Sequence, residues 1–135
     1  SERLKGVRVG DLMSAECSII DPRTNIQTLV DEHMLRTGQR CFVVMEGDEL
    51  QGLITPHEIT GIEVLMRPIK LASDVMKPFD SILTASPESS VESVLETMGT
   101  EDINQLPVLS GGRLVGMISR EMIVRYLVTR QELNM

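Results

Sequence analysis

Aromatic side chains are almost absent from this sequence of 135 residues, which has no Trp, one Tyr and two Phe. Such a chain lacks the stacking platform on which proteins hold single-stranded nucleic acids. Positive charge is also scarce, because 20 acidic residues outnumber 13 Lys and Arg and give a formal net charge of −7. Duplex binding depends on clustered Lys and Arg. The composition therefore argues against nucleic acid as a partner, and any anionic ligand must be held by local geometry and a few placed cations.

Long apolar runs are missing as well, since none approaches the length of about 18 residues that spans a membrane. The start, Ser1–Arg3, lacks the basic and apolar stretches of a signal peptide and is typical of a trimmed fragment or a tag remnant. Cys17 and Cys41 lack CxxC spacing, which favours thiols in a reducing compartment and leaves a disulfide open. His33 and His57 are too few and too scattered to indicate a metal site, so no metal is expected.

The sequence repeats itself with a period of about 64 residues. Four blocks recur in the same order: Asp11–Met13 with Asp74–Met76, Pro22 with Pro87, Phe42–Val44 with Leu106–Val108, and Gly52–Thr55 with Gly116–Ser119. This recurrence in register indicates two repeats, which we place at residues 7–68 and 69–130. One repeat of about 60 residues buries too little surface to be comfortable alone. The two are therefore predicted to pack as one cooperative unit.

The first half of each repeat predicts a strand followed by a helix. Short apolar stretches suited to a strand are Ser18–Ile20 and Ser81–Leu83. The helices are expected to begin with capping boxes, in which a hydroxyl and an amide or carboxyl three residues later satisfy each other's backbone N–H groups. These boxes are Thr24–Gln27 and Ser89–Glu92. Glycines that can adopt positive φ predict the helix ends, near Gly38 and Gly99.

The second half of each repeat predicts a hairpin followed by a second helix. Glycine-containing turns at Glu46–Glu49 and Ser110–Gly112 separate apolar runs, which is typical of hairpins. Second helices are expected to open at Thr55–Pro56 and Ser119–Arg120, and proline suits the first helical position. Each repeat is thus expected to run strand, helix, strand, strand, helix, which predicts an α+β fold.

These motifs resemble the pair of cystathionine-β-synthase-type (CBS) domains that is also called a Bateman module. The stretches that carry the resemblance are Val9–Met13, Gly52–Glu58, Asn104–Val108 and Gly116–Met122, and the likeness extends from about Val7 to Val128. The resemblance implies two CBS repeats packed as a pseudo-two-fold pair, with a regulatory role rather than catalysis. A stand-alone enzyme is not expected, because no nucleophile–base pair or metal cluster stands at usable spacing.

A narrower likeness concerns Gly52–Ile59, Asn104–Pro107 and Ile123–Leu127. These stretches are similar to the CBS pairs appended to bacterial site-2-protease-type membrane metalloproteases. The likeness implies a cytoplasmic regulatory tail whose parent is a membrane protease. The chain itself has no His-Glu-x-x-His motif.

The start of each second helix is the expected ligand site. Its first turn leaves N–H groups unpaired at the positive end of the helix dipole, which favours phosphate or carboxylate, and the glycine before it permits close backbone approach. In ligand-binding CBS pairs a similar motif ends in an aspartate that accepts hydrogen bonds from the ribose of an adenosine nucleotide. One cleft there combines the motif of one repeat with the early strand of the other. The resemblance thus implies AMP, ATP or another adenosyl compound as ligand.

The sequence departs from that motif in both repeats, because Glu58 and Met122 stand where the family has aspartate. The Thr55 cleft is therefore the better nucleotide candidate, and we expect Ile82 and Asn104–Pro107 to border it. Arg40 and Arg120, which each flank a cleft, are the expected phosphate contacts. The full candidate set is Arg40, Cys41, Thr55, Glu58, Ile82, Asn104, Gln105, Leu106, Pro107, Ser119 and Arg120. A structural alternative stays open, because Thr55 and Glu58 also fit a capping box that needs no ligand.

Two functional hypotheses follow from these patterns. The first is a sensor that binds an adenine nucleotide or adenosyl ligand in the inter-repeat cleft and relays binding to an attached catalytic domain. The second is a ligand-free assembly module that forms homodimers through its helical faces, which the altered acidic positions favour.

Overall fold

The computed structural model describes residues 2–135, apart from the side chain of Glu2. In chain order the elements are α1 (Val9–Leu12), β1 (Ile19–Ile20), α2 (Ile26–Thr28), β2 (Phe42–Glu46), β3 (Glu49–Ile54), α3 (Pro56–Thr60), α4 (Ala72–Val75), β4 (Lys77–Pro78), α5 (Val91–Glu101), β5 (Gln105–Ser110), β6 (Arg113–Ser119) and α6 (Arg120–Glu132). Helix α2 continues as a π-helix over Leu29–Leu35. Short 3-10 turns are Glu2–Leu4, Val64–Met66 and Phe79–Ser81. The predicted α+β fold is confirmed.

The chain forms two compact units, and neither coincides with one sequence repeat. The central unit is residues 17–82, and the terminal unit combines residues 1–16 with residues 83–135. The repeat boundaries at 7–68 and 69–130 describe the duplication in the sequence and stay a prediction about it. The compact units divide the chain at other places.

The central unit is a sheet in the order β1-β2-β3-β4. Strands β1 and β2 run parallel with Ile19 opposite Val43, while β2, β3 and β4 pair antiparallel. A hairpin turn with Gly47 at φ 59° joins β2 to β3, as the glycine there predicted. One face of the sheet is buried against α2 and its neighbours by apolar residues: Ile20, Ile26, Leu29, Phe42, Val44, Ile54, Ile59 and Ala72.

The terminal unit repeats this arrangement with fewer paired residues. Strands β5 and β6 form the predicted hairpin, and single bridges flank it on both sides. Ala85 bridges Val108 in parallel, and Ser14 bridges Met117 in antiparallel. These bridges take the places that β1 and β4 hold in the central unit, so the strand expected at Ser81–Leu83 is wrong: pairing starts at Ala85, past a 3-10 turn. The core is Leu4, Val9, Ala85, Val91, Val94, Met98, Leu106, Val108, Ile118 and Ile123.

The leading segment of each repeat, residues 7–14 or 70–77, packs with the strands of the other repeat. In the central unit Ala72 N donates to Thr24 O at 2.7 Å, and Ile26 N donates to Lys70 O at 2.9 Å. The terminal unit makes the equivalent bonds. Val9 N donates to Ser89 O at 2.8 Å, and Val91 N donates to Val7 O at 3.0 Å. These reciprocal bonds explain why the compact units cut across the sequence repeats.

Both predicted capping boxes at the first helices are wrong by one residue. The N-caps are Asn25, whose side chain accepts from Thr28 N at 2.9 Å, and Ser90, whose hydroxyl accepts from Ser93 N at 3.3 Å. The residues predicted as caps are used elsewhere. The carbonyls of Thr24 and Ser89 accept hydrogen bonds from the leading segments.

The predicted end of the first helix is confirmed, and that of the second is wrong. Gly38 has φ 77°, and its N–H donates to Met34 O at 2.9 Å. Helix α5 instead continues past Gly99 to Glu101. Asp102, at φ 53° and ψ 49°, takes the left-handed position that ends it. Asp is one of the few non-glycine residues that tolerate this conformation.

Candidate functional site

The glycines of the repeated motif lie against their own chain. A Cβ at Gly52 would stand 2.8 Å from the sulfur of Met76 and closer still to Lys77 O. A Cβ at Gly116 would stand 2.6 Å from Ser14 O and 3.0 Å from the sulfur of Met13. The glycines were expected to let a ligand approach the backbone closely. The space beside each of them is filled by a leading segment instead. The repeated Met and the repeated Gly are two sides of one contact.

The repeated Asp of the leading segments has a structural task too. Asp11 Oδ2 accepts from Arg8 N at 2.9 Å, and Asp74 Oδ2 accepts from Leu71 N at 2.9 Å. Each carboxylate thus satisfies an N–H group where its short helix, α1 or α4, begins. Two of the four repeated blocks are explained by these contacts without any ligand.

Thr55 and Glu58 form the capping box that the sequence allowed. Thr55 N donates to Glu58 Oε1 at 2.7 Å, the Thr55 hydroxyl donates to the same oxygen at 2.9 Å, and His57 N donates to the Thr55 hydroxyl at 3.3 Å. Both hydrogen bonds from Thr55 to Glu58 use Oε1, and the box stabilises the start of the five-residue helix α3.

Cys41 lies beside this box. Phe42 pairs with Ile54 in the antiparallel register, so the next pair outward is Cys41 and Thr55. Burial, the charge of Glu58 and the neighbouring Cys17 together raise the pKa of Cys41 to about 12. The central unit therefore brings together Cys41, Thr55 and Glu58, which we call the Thr55 corner.

The first strand of the same repeat, which the sequence interpretation did not include, reaches this corner. Val43 N donates to Ser18 O at 2.8 Å, and the parallel register pairs Ile19 with Val43. Extending that register by two residues places Cys17 opposite Cys41. Cys17 and Cys41 are 24 residues apart in the sequence, as are Ile19 and Val43. This spacing alone does not reveal that the two segments pair in parallel.

Ile82, which was expected to border the corner, follows the turn Phe79–Ser81 beyond β4, the edge strand opposite β1. Its role at the site stays a prediction.

The terminal unit forms a matching corner, which we call the Ser119 corner. Ser119 pairs with Gln105, caps α6 and accepts from Met122 N through its hydroxyl at 3.1 Å. Arg120 N donates to Asn104 O at 2.8 Å. Arg120 Nε is buried and has no hydrogen-bond partner in the described part of the chain. This corner holds a buried guanidinium donor at Arg120, a position that Pro56 occupies in the central unit. Arg40, whose counterpart in the terminal unit is Asn104, is exposed.

The predicted site residues are shared between the two units. The central unit contains Arg40, Cys41, Thr55, Glu58 and Ile82. The terminal unit contains Asn104, Gln105, Leu106, Pro107, Ser119 and Arg120. Leu106 and Pro107 are buried in β5, next to the Ser119 corner in sequence. Their contact with a ligand stays a prediction.

The duplicated geometry matches a known family in both copies. The family model for the CBS domain matches residues 9–63 and again residues 72–129. The chain belongs to the CBS domain family. It is a tandem CBS pair, and the predicted family is confirmed.

Three curated proteins contain a similar stretch. The chain is 23% identical to the zinc metalloprotease named Rip3 of Mycobacterium tuberculosis, over 90% of the chain and 32% of Rip3. It is 26% identical to the A-adding tRNA nucleotidyltransferase of Geobacter sulfurreducens, over 92% of the chain and 14% of that protein. It is 31% identical to the homoserine O-acetyltransferase of Methanohalobium evestigatum, over 88% and 24%. The chain thus spans a third or less of these relatives.

Solved structures confirm the fold of the pair. The acetoin utilization protein AcuB of Vibrio cholerae aligns with a TM-score of 0.81 at 17% identity, covering 95% of each chain. CBSX2 in complex with AMP aligns with a TM-score of 0.79 at 20% identity, over 93% of this chain and 99% of that one. The CBS pair of protein MJ0100, in complex with 5′-methylthioadenosine and S-adenosyl-L-methionine, aligns with a TM-score of 0.77 at 21% identity, over 92% and 98%.

Two kinds of feature are absent from residues 2–135. No three or more His, Cys, Asp or Glu side chains are grouped so that they could hold a metal ion. None of the helices in this range has the length and apolar character needed to cross a bilayer.

Proposed function

We propose that this CBS pair is a regulatory module that binds an adenine nucleotide or another adenosyl compound and relays binding to an attached catalytic domain. The observation that carries the proposal is the hydroxyl-capped helix start after a glycine, present in both units at Thr55 and Ser119. The fold likeness to CBSX2 with AMP and to MJ0100 with adenosyl compounds supports this class of ligand.

The Thr55 corner is the proposed ribose site. Glu58 Oε1 is engaged in the cap, and in this proposal Oε2 accepts from a ribose hydroxyl. A hydrogen bond to a charged carboxylate contributes roughly 1.5–3 kcal/mol, so it can orient the sugar while the cap remains intact. Arg40 is exposed, and in this proposal its guanidinium turns to meet the phosphate.

The Ser119 corner is the proposed site of weaker or purely anionic binding. Met122 cannot accept a hydrogen bond from ribose, whereas the buried Nε of Arg120 has a donor to offer. Gln105 and Asn104 adjoin Ser119 and Arg120 through backbone pairing, and Ile82, Leu106 and Pro107 are proposed as apolar borders of the ligand sites. The two corners are thus proposed to differ in ligand preference.

Calorimetric titration of the purified chain with AMP, ATP and S-adenosylmethionine tests the proposal. Wild-type protein should bind at least one of them at millimolar concentration or below, and Glu58→Gln should raise its Kd about tenfold or more, as the loss of a charged hydrogen bond predicts. Glu121→Gln is the matched control, because Glu121 lies at the start of α6 and pairs with Arg125 on the exposed surface. No heat and no melting shift with any of the three ligands would refute the proposal.

The relay is proposed from the kinds of protein in which similar pairs occur. The relatives are named as a metalloprotease, a nucleotidyltransferase and an acetyltransferase, and the similar stretch is a minor part of each. A ligand changes an attached domain only through its different affinity for two arrangements of the module. We propose a membrane metalloprotease as the parent and the cytoplasm as the location, on the likeness to Rip3.

Assembly into homodimers is the second candidate function, favoured by exposed apolar side chains. Val124 and Val128 lie four residues apart on α6 and are each 49% exposed, and Leu65 in the central unit is 87% exposed. Sedimentation velocity at tens of micromolar should show a dimer that Val128→Lys or Leu65→Lys weakens. Leu35→Lys, at another exposed apolar position, should leave the dimer intact. A monomeric wild-type protein would contradict this function.

A further inference from the structure

The two cysteines occupy facing positions on neighbouring segments of the central unit. Cys17 precedes β1 and Cys41 precedes β2, and the parallel register pairs Ile19 with Val43 and Ile20 with Val44. Continuing that register outward aligns Cys17 with Cys41. The bond from Val43 N to Ser18 O, at 2.8 Å, shows that the two segments still run side by side next to these residues.

Facing residues of neighbouring parallel strands suit a disulfide. Adjacent strands lie about 4.8 Å apart, and the Cα atoms of a disulfide are about 4.4–6.8 Å apart. Paired residues of parallel strands also direct their side chains to the same face of a sheet. The two thiols interact, because Cys17 contributes to the raised pKa of Cys41. They are not joined in this structure.

We propose that Cys17 and Cys41 form a reversible disulfide that clasps the start of β1 to the start of β2. The bond would lie beside the Thr55 corner, since Cys41 is the register neighbour of Thr55. Oxidation would restrict the separation of the two segments at that corner. The disulfide itself does not depend on nucleotide binding.

Oxidised glutathione is the class of oxidant that the proposal names. The thiolate of Cys17 attacks one glutathione sulfur, breaks the glutathione disulfide and releases one glutathione thiolate, which takes up the proton that Cys17 lost. The thiolate of Cys41 then attacks the Cys17 sulfur, forms the Cys17–Cys41 bond and releases the second glutathione, which takes up the Cys41 proton. The protein pair loses two electrons, and oxidised glutathione is reduced to two thiols.

The environment assigns the order of these two steps. Burial raises the pKa of Cys17, whereas burial, Glu58 and Cys17 together raise the pKa of Cys41 to about 12. Since the thiolate is the nucleophile, Cys17 attacks first and Cys41 resolves the mixed disulfide. Both raised values keep the thiols protonated at neutral pH, so oxidation is slow and accelerates as the pH rises.

The experiment equilibrates the full chain with mixtures of reduced and oxidised glutathione, followed by acid quenching and mass measurement of the intact protein and its peptides. The same equilibration in concentrated urea provides the reference. If the folded register suits the bond, the equilibrium constant for the intrachain disulfide is on the order of a hundredfold higher in the folded chain than in urea, as expected for closing a loop of this length. Cys17→Ser and Cys41→Ser should each stop at a single glutathione adduct.

A folded equilibrium constant equal to or below the value in urea would overturn the proposal. Persistent glutathione adducts on both cysteines of the folded wild type, or disulfides between chains in place of the intrachain bond, would overturn it as well. The comparison of folded with unfolded wild type does not depend on any variant retaining its fold.

Discussion

The sulfur of Met76 lies 2.8 Å from the place that a Cβ on Gly52 would occupy, and Lys77 O lies closer still. A methyl group there would meet a backbone carbonyl that cannot turn away. Gly52→Ala is therefore expected to lower the free energy of unfolding by about 1–3 kcal/mol, the usual cost of overpacking. Gly116→Ala, with Ser14 O at 2.6 Å, is expected to cost a similar amount in urea denaturation.

The matched control for these substitutions is Gly99→Ala. Gly99 lies within α5, and within the described residues only its own neighbours along the helix backbone come within 4 Å of the place that its Cβ would occupy. Alanine is the better helix former, so this change is expected to stabilise by about 0.5–1 kcal/mol. If Gly52→Ala changed the free energy of unfolding no more unfavourably than Gly99→Ala, the close contact between Gly52 and the leading segment would be refuted.

Asp102 offers a gain in stability. Its φ of 53° places an L side chain in the left-handed region at the end of α5, where glycine has no Cβ to clash. Asp102→Gly is expected to raise the free energy of unfolding by about 0.5–1 kcal/mol, since Asp relieves only part of the left-handed penalty. Glu101→Gly, one residue earlier and still helical, should instead cost about 1 kcal/mol. Equal effects of the two changes in thermal unfolding would contradict the assignment of the helix end.

The central unit is expected to fold without the rest of the chain, because it is one continuous stretch, residues 17–82. The fragment 7–68, cut at the sequence repeat, lacks α4 and β4 and so loses buried Ala72 and the strand that covers Gly52. In NMR spectra, the amide resonances of fragment 17–82 should be well dispersed, and those of fragment 7–68 should be poorly dispersed. The reverse result would show that the compact units do not govern folding. A fragment of this size has only marginal stability, so low temperature favours the measurement.

Alkaline pH should reveal the burial of Cys41. Its pKa is raised to about 12 in the folded chain, against about 8.5 in an unfolded chain. At a pH below the pKa of the unfolded chain, the thiol is protonated in both states, and the burial of neutral Cys41 contributes its full stabilisation. As the pH rises from there toward the folded value, only the unfolded state loses the proton, so stability falls by up to about 1.4 kcal/mol per pH unit.

The measurement compares the unfolding free energy of wild type and Cys41→Ala in urea between neutral pH and pH values of about 10, above the unfolded thiol pKa. Other groups that titrate in this range are common to both proteins and cancel in the difference. The wild type should lose more stability with pH than the variant. Parallel curves would show that Cys41 is not buried as a neutral thiol.

The local features of the fold were predictable where chemistry acts within a few residues. Gly47 and Gly111 marked the hairpin turns, and Thr55 and Ser119 marked the second helices, because turn and cap preferences are short-range. The first caps were misplaced by one residue, since Thr24 and Asn25 both offer a suitable oxygen. Only the distant leading segment, which binds Thr24 O, decides between them.

The partners of the leading segments were not predictable for a different reason. Two similar copies offer two similar docking places, and local patterns do not tell residues 70–77 which copy to join. The same ambiguity applies to the Thr55 corner, where the side-chain set was predicted but the adjacency of Cys17 and Cys41 depends on parallel pairing between β1 and β2. Pairing over such separations is a property of the whole sheet.

Because each leading segment packs on the other repeat, this single chain resembles a domain-swapped dimer whose two subunits are covalently linked. A protein with a single repeat would have to borrow residues equivalent to 70–77 from a second molecule, and its folding would depend on concentration. Duplication in tandem removes that dependence. It also requires the Asp, the Met and the receiving Gly in both copies, whereas an acidic residue after the helix start is needed only where a ligand uses it. Gly52 and Gly116 are accordingly both present, while Glu58 has no acidic counterpart at Met122.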